Sequence, residues 1–251
     1  MPKVNLLFLG GLILVAFSAG LAQTPEFQEP WKDEHVAIVI DPYEGNAIVW
    51  EDVASDPRVV GMIHRATIGN RKDAKYEERK AEARTRGYKW GSYHLGKPGN
   101  PITQADFYLK TVKPSVDEVM ALDIESLNPA TDMSLTDARR FIKRIRKKTG
   151  RYPMLYANQA VVKQISEAYP KDKVFSKTSL WYARFKSNVT DFPTKTWDTY
   201  TLWQFSSEIN CKPDHPENCL YRVPGTETDM DVNVYRGTVD EFKANWPFKR
   251  D

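Results

Sequence analysis

Two carboxylates one residue apart carry the strongest chemical signal in this chain. In the run ALDIES, Asp123 and Glu125 alternate with apolar residues, so on a β-strand both point to one face, roughly 7 Å apart along the chain. Close carboxylates repel and drive their pKa values apart, leaving one protonated and the other ionised. Glycosidic cleavage needs that pair of states: a proton for a poor leaving oxygen and a negative group facing the charge that grows on the sugar. Taken alone, a D-x-E triplet at a strand end more often caps the next helix. Other polar groups, however, interrupt apolar runs in the same way: Asp41, Tyr93, His94, Tyr156, Asn158, Trp203, Gln204, Asp231 and Asn233. Burying four carboxylates costs several kcal/mol each unless they are paired or hydrogen-bonded, so Asp41, Asp123, Glu125 and Asp231 converging on one mouth point to function rather than packing. Asp229 competes with Asp231, but the spacing to Asn233 and Tyr235 favours Asp231. His64 reads as structural, and Trp50, Trp90, Trp181, Trp197 and Trp246 as packing.

The elements that must position these groups are short apolar runs alternating with amphipathic stretches, the pattern of βα units. Strands are expected at 36–43, 59–67, 89–95, 118–126, 152–158, 179–185, 200–207 and 230–235. Several are nearly continuous in apolar residues, as strands buried on both faces must be. Helices are expected near 72–86, 102–113, 134–150 and 238–246. The third begins at a Ser134/Asp137 capping pattern, carries Leu135, Ala138, Ile142 and Ile145 as a stripe, and stops at Gly150. Eight strands with fewer helices predict an α/β fold: a single parallel (β/α) barrel of the TIM-like type, irregular, with some crossover helices missing. In such a barrel chemistry collects at the C-terminal ends of the strands.

Residues 1–22 read as a signal peptide, with Lys3 in the n-region, an apolar run from Leu6 to Ala16, and small residues through Ala22. The barrel domain is then expected over 23–251. An uncleaved anchor is the alternative, disfavoured by the short apolar run and its adjacent glycines. The formal net charge is +3; that mild balance, with no clustered basic patch evident along the sequence, argues against nucleic acid or an anionic membrane as partner. Cys211 and Cys219, an even pair in an exported chain, are expected to form a disulfide. Zinc at Cys211, His215 and Cys219 matches no common ligand spacing, and no metal site is expected.

The ordered set of runs resembles the family 25 glycoside hydrolases, the Chalaropsis-type lysozymes, from about Val36 to Gly237. VIDPYEGNAIVW is similar to the family's opening strand and turn, IHRATIGN to its second strand, and GSYHLGKPGNPITQADFYLKTVKP to its third strand and helix. ALDIES, TGRYPMLYAN, LWYARF, LWQFSS and DMDVNVYRG follow in order as the remaining strands. The resemblance implies a retaining N-acetylmuramidase cleaving β-1,4 bonds between N-acetylmuramic acid and N-acetylglucosamine in peptidoglycan glycan strands, with no cofactor. Glu125 would be the general acid/base, Asp41, Asp123 and Asp231 the supporting acids, and Tyr93, His94, Tyr156, Trp203 and Gln204 the sugar-binding groups. A substrate-assisted route would have Asp123 orient the acetamido group; a carboxylate nucleophile is the other route. A monomer, secreted or periplasmic, is expected. Two departures bear on substrate preference: Glu44 stands where the family commonly has Gln, and Ile68 where it often has an acid. The rival readings are a chitinase-like hydrolase, whose longer D-x-x-D-x-D-x-E run is missing before Asp123, and a catalytically weak glycan-binding protein on the same scaffold.

Overall fold

The computed structural model describes residues 27–248; the expected signal peptide lies outside them. Eight strands close into a barrel: β1 (Val36–Ile40), β2 (Val59–Ile68), β4 (Lys89–Leu95), β5 (Val119–Ile124), β6 (Met154–Asn158), β7 (Leu180–Ala183), β8 (Leu202–Ser206) and β9 (Val232–Thr238). Pairing of β1 with β2 closes the ring, and the two-residue β3 (Arg71–Lys72) folds back on the end of β2. Crossovers are made by α2 (Tyr76–Thr85), α3 (Pro101–Val112), α4 (Leu135–Thr149) and α5 (Gln159–Ala168), while α1 (Trp50–Val53) is one turn and α6 (Val239–Asn245) follows β9.

One expectation is corrected. The barrel strands from β1 through β8, β3 lying outside the ring, are parallel, but β9 runs antiparallel to both β1 and β8. No α-helix lies between β8 and β9. A parallel return requires a crossover of a dozen or more residues that carries the chain back along the barrel. Here the chain wanders at the mouth through residues 207–231 and re-enters from that same end. The missing crossover helices expected from the sequence fall after β7 and β8.

Side-chain alternation sorts the strands into two cores. Ala37, Val39, Ile63, Tyr93, Ala121, Met154, Trp181 and Leu202 face the interior, which Phe242, Trp246 and Phe248 plug from below. Gly61 permits this plug, since a Cβ there would lie 2.8 Å from the Phe242 ring. The opposite parity, including Ile38, Met62, Leu122 and Ile124, faces the helices. α4 contributes Ala138, Phe141, Ile142 and Ile145 to that layer; Ser134 caps it by accepting from the Asp137 N–H at 3.1 Å, and Gly150 ends it at φ 74°. Each such large side chain, fully buried, stabilises by about 1.5–3 kcal/mol.

Where crossover helices are missing, the segment before β1 covers the barrel instead. Trp31 stacks on Phe205 at 4.5 Å, Phe27 lies 6.3 Å from Trp203, and the Glu29 N–H donates to the Ser187 carbonyl at 2.8 Å.

The Cys211–Cys219 disulfide forms within the β8–β9 connection. It encloses a short loop, so its chain-entropy contribution is about 2–3 kcal/mol. Reduction is expected to lower the unfolding free energy by that amount, read from urea unfolding with and without reductant. Among the described residues no helix is long and apolar enough to cross a membrane.

Candidate active site

β5 places Val119, Ala121 and Asp123 on the barrel interior and Met120, Leu122 and Ile124 on the helix layer. The same alternation carries Glu125, the first residue past the strand, to the interior side of the rim. Asp123 is 5% exposed, and its Oδ1 is buried with no hydrogen-bond partner. Its register neighbours are Leu95 and Tyr156. Glu125 is exposed at the mouth, and its backbone carbonyl accepts from Asn158 Nδ2. Asn158 Oδ1 in turn caps α5 through the Val161 N–H at 3.1 Å, so strand end, helix start and Glu125 are fixed together.

Asp41 follows β1 and is held on both oxygens. Gln204 Nε2 donates to Oδ2 at 3.0 Å and Asn233 Nδ2 to Oδ1. Gln204 Oε1 accepts from the Tyr156 hydroxyl at 2.7 Å, and Asn233 Oδ1 from Trp181 Nε1. The Asp41 N–H donates to the Asp231 carbonyl at 3.2 Å, which joins the first and last strands of the barrel at the mouth. Asp231 precedes β9; because β9 is reversed, the start of that strand is what reaches the mouth.

All four carboxyls are pushed above the usual carboxylate range, and burial is the main cause in each. Asn233 and Gln204 oppose the shift at Asp41 by donating to the anion. At Asp123 the neighbouring Glu125 and Asp41 charges add to burial, while Lys97 opposes it. At Asp231 the added repulsion comes first from Asp41. Glu125, although it opens to solvent, is ringed closely enough by protein to favour its neutral form, with Lys97 again opposing. Ionising any of the four therefore costs more here than it would at an exposed carboxyl.

Tyr93 and Tyr156 both face the interior, edge-on to Trp181 at 6.1 and 5.0 Å. Two expected sugar contacts are not brought here. Trp203 is fully buried on the helix side of β8, beside Trp31 and Phe205, and donates Nε1 to the Arg184 carbonyl at 2.7 Å. His94 is fully buried on the helix side of β4, bonded to Thr67 Oγ1 at 2.7 Å and Gln104 Oε1 at 3.0 Å, and stacked on Phe141. Burial holds its pKa down to about 4, so at neutral pH it is an uncharged packing residue. Gln204 does face the interior, but both ends of its amide are engaged by Asp41 and Tyr156.

The structure adds groups that sequence reading passed over. Arg65, on the interior face of β2, pairs with Asp73 at 3.1 Å and Glu44 at 3.3 Å, and its guanidinium lies 4.6 Å from the Tyr43 ring centre. Glu44 also accepts from the Ala74 N–H at 2.7 Å and from Arg71. The Ala74 bond, with Arg71 and Arg65, holds the Glu44 carboxyl below its ordinary range. Its extra negative charge is thus locally neutralised. Lys97 pairs with Asp132 at 3.6 Å. Arg65 and Lys97 could have been noticed as cations at the ends of the second and third expected strands.

The sequence profile of the glycosyl hydrolases family 25 matches residues 40–213, a span that includes Asp41, Asp123 and Glu125 and stops before Asp231. An uncharacterized protein of Escherichia coli (strain K12), YegX, is 26% identical over 205 residues, covering 78% of this chain and 68% of its own. Among solved structures, a bacterial lysozyme from Streptomyces coelicolor superposes with a TM-score of 0.67 at 23% identity, covering 83% of this chain and 95% of its own. A muramidase from Trichobolus zukalii gives a TM-score of 0.66 at 24% identity, with coverage of 83% and 97%. At these identities the structural likeness establishes the fold.

Proposed function

The chain belongs to the glycosyl hydrolases family 25, and on that footing we propose that it is a lysozyme-type N-acetylmuramidase acting on peptidoglycan glycan strands. The observation that carries the reading is Asp123, a buried carboxyl with an oxygen left without a partner, two residues before a Glu125 that opens to solvent and whose carboxyl burial pushes above its ordinary range. An unsatisfied buried acceptor is costly unless something fills it. The amide N–H of a 2-acetamido sugar is a donor that would.

In the first step Glu125 gives its proton to the glycosidic oxygen as the C1–O bond breaks, and the acetamido carbonyl oxygen closes on C1. Asp123 accepts from the acetamido N–H and stabilises the positive charge that develops on that group. In the second step the Glu125 carboxylate takes a proton from water, whose oxygen opens the ring at C1. Two displacements on one carbon give net retention. Asp41 and Asp231 add negative potential against the oxocarbenium-like transition state, with Asp41 aimed by Gln204 and Asn233. Tyr93 and Tyr156 line the sugar site. The disulfide supports a location outside the cytoplasm, since such bonds persist in oxidising compartments; cleavage of an export signal after Ala22 belongs to the same reading.

The direct test is digestion of purified peptidoglycan, reduction of the new ends, and mass spectrometry. N-acetylmuramitol is expected. N-acetylglucosaminitol alone would replace the reading with a glucosaminidase or a chitinase-like enzyme.

A stability measurement tests Asp123 from another side. A carboxyl whose folded pKa lies above its unfolded value binds more protons in the folded state. Its effect is therefore a loss of stability as pH rises from about 4 toward neutral. Asp123→Asn removes that penalty. At pH 7 the variant should unfold at higher urea than the parent, by about 0.5–2 kcal/mol, with the gap closing near pH 4. A variant equally or less stable at pH 7 would show that Asp123 is held by structural partners.

A further inference from the structure

The fold assembles a basic track that starts on the face opposite the mouth and runs up the flank beside α2 and α3, which the sequence pattern did not reveal. The C-terminal ends of α3 and α4, where the chain turns into β5 and β6, enclose a groove of about 720 Å³ lined by Lys110, Lys113, Lys148 and Arg151. A second concavity of about 480 Å³ beside α2 shares Lys110 and Lys113 with it, so the two form one path. Most nearby charges are already engaged. Asp106 is held by Arg144 through two bonds of 2.7 Å, Lys72 pairs with Glu77 at 3.0 Å, and Lys80 with Glu118 at 2.9 Å. Arg151 is spent on the carbonyls of Ser115, Val116 and Glu118. Lys110, Lys113 and Lys148 are exposed, and among the described residues none of their ammonium groups has a hydrogen bond or ion pair. One cation at each helix end would answer the helix dipoles; a third ammonium on Lys113, past the end of α3 at φ 43°, is more than that role requires.

We propose, resting on the peptidoglycan reading above, that this track binds a phosphodiester-linked anionic polymer of the cell envelope and holds the enzyme on its surroundings while the mouth stays free to work. Three features select that occupant. The two concavities meet at Lys110 and Lys113, which suits an extended chain rather than a single ion, and a groove suits a chain rather than a flat bilayer. The free cations are ammoniums, point charges that take a phosphodiester oxygen without a fixed bidentate geometry, as the changing angles along a flexible chain require. Leu109, Pro114 and Val116, the last 76% exposed, offer apolar contact to the carbons of a polyol repeat.

The probe is a fluorescent glycerol-phosphate oligomer of about ten repeats, titrated by anisotropy against the purified protein at several salt concentrations. Each phosphate contact releases counterions, so affinity should fall steeply with salt. The triple variant Lys110→Gln, Lys113→Gln, Lys148→Gln should bind at least about tenfold more weakly and lose about two to three units of the salt slope. The control triple Lys163→Gln, Lys173→Gln, Lys243→Gln removes equal charge elsewhere and should stay within about twofold of the parent. Both variants should cleave a short soluble glycan at the parent rate, which separates this inference from the hydrolase reading. Absence of binding by the parent, equal weakening in the two triples, or tighter binding to single-stranded DNA or to phosphatidylglycerol vesicles would each overturn the proposal.

Discussion

Glu125→Gln is expected to fold as the parent does and to lose about 10²–10⁴-fold in turnover of glycan strands, the usual contribution of a positioned general acid. The amide keeps the size of the side chain and has no proton of the required acidity. On an aryl glycoside with an activated leaving group the first step needs little protonation, so its rate should recover toward that of the parent. Asp123→Asn should be equally poor on glycan and gain nothing from the better leaving group, because its defect lies in orienting the acetamido nucleophile. The pH profile supplies a second readout. On the proposed route Glu125 must be protonated for the first step, and burial lifts its pKa. The alkaline limb of the parent's profile should therefore lie above the range in which an exposed Glu would ionise, and activity should also fall on the acidic side as Asp123, itself raised by burial, takes up a proton. Stopped-flow measurement of the aryl leaving group gives the first-step rate for each variant. Matching rescue of both variants, or near-parental glycan turnover by Glu125→Gln, would mean that these roles are wrongly assigned.

Trp203→Ala should act on folding and leave sugar recognition alone. The ring is fully buried among Trp31, Tyr200 and Phe205, and its indole N–H is bonded to the Arg184 carbonyl. Truncating such a side chain costs about 3–5 kcal/mol through lost burial and the cavity left behind. The urea midpoint should shift accordingly, while KM for a short glycan, measured cold enough that the variant stays folded, should remain that of the parent. Trp203→Phe keeps most of the volume and should restore much of the stability. A raised KM with unchanged stability would put Trp203 back among the sugar contacts.

The contrast between Trp203 and Gln204 shows what kind of information the sequence held. Adjacent residues on a strand face opposite sides, so Trp203 and Gln204 cannot both line the interior, and neither can Tyr93 and His94. Parity counted from Asp41, Asp123 and Glu125 across the register would have kept Tyr93, Tyr156 and Gln204 and sent Trp203 and His94 to the helix layer. The D-x-E pair was legible because its own spacing has even parity. Asp231 reached the mouth for a reason that was not legible: it stands at the start of its strand, and only reversal of β9 brings that end to the carboxylates. α5 escaped notice because its run, QAVVKQISEA, directly follows a strand and is capped by that strand's last residue, Asn158. The basic track was hidden because Lys110 and Lys148 belong to different helices, and only the packing of α3 on α4 brings them together.

The closure of the ring bears on when the enzyme becomes active. Asp41 receives its two donors from residues 163 and 192 positions downstream, and the segment at Trp31 waits for β8 before it has anything to stack on. Contacts so distant along the chain form late, since each must first overcome the entropy of closing a long loop. Until β8 and β9 have emerged, the nascent chain contains Asp123 and Glu125 but no barrel to hold them against Asp41. A polypeptide that lacks β8 and β9 carries Asp123 and Glu125 without the two donors that aim Asp41.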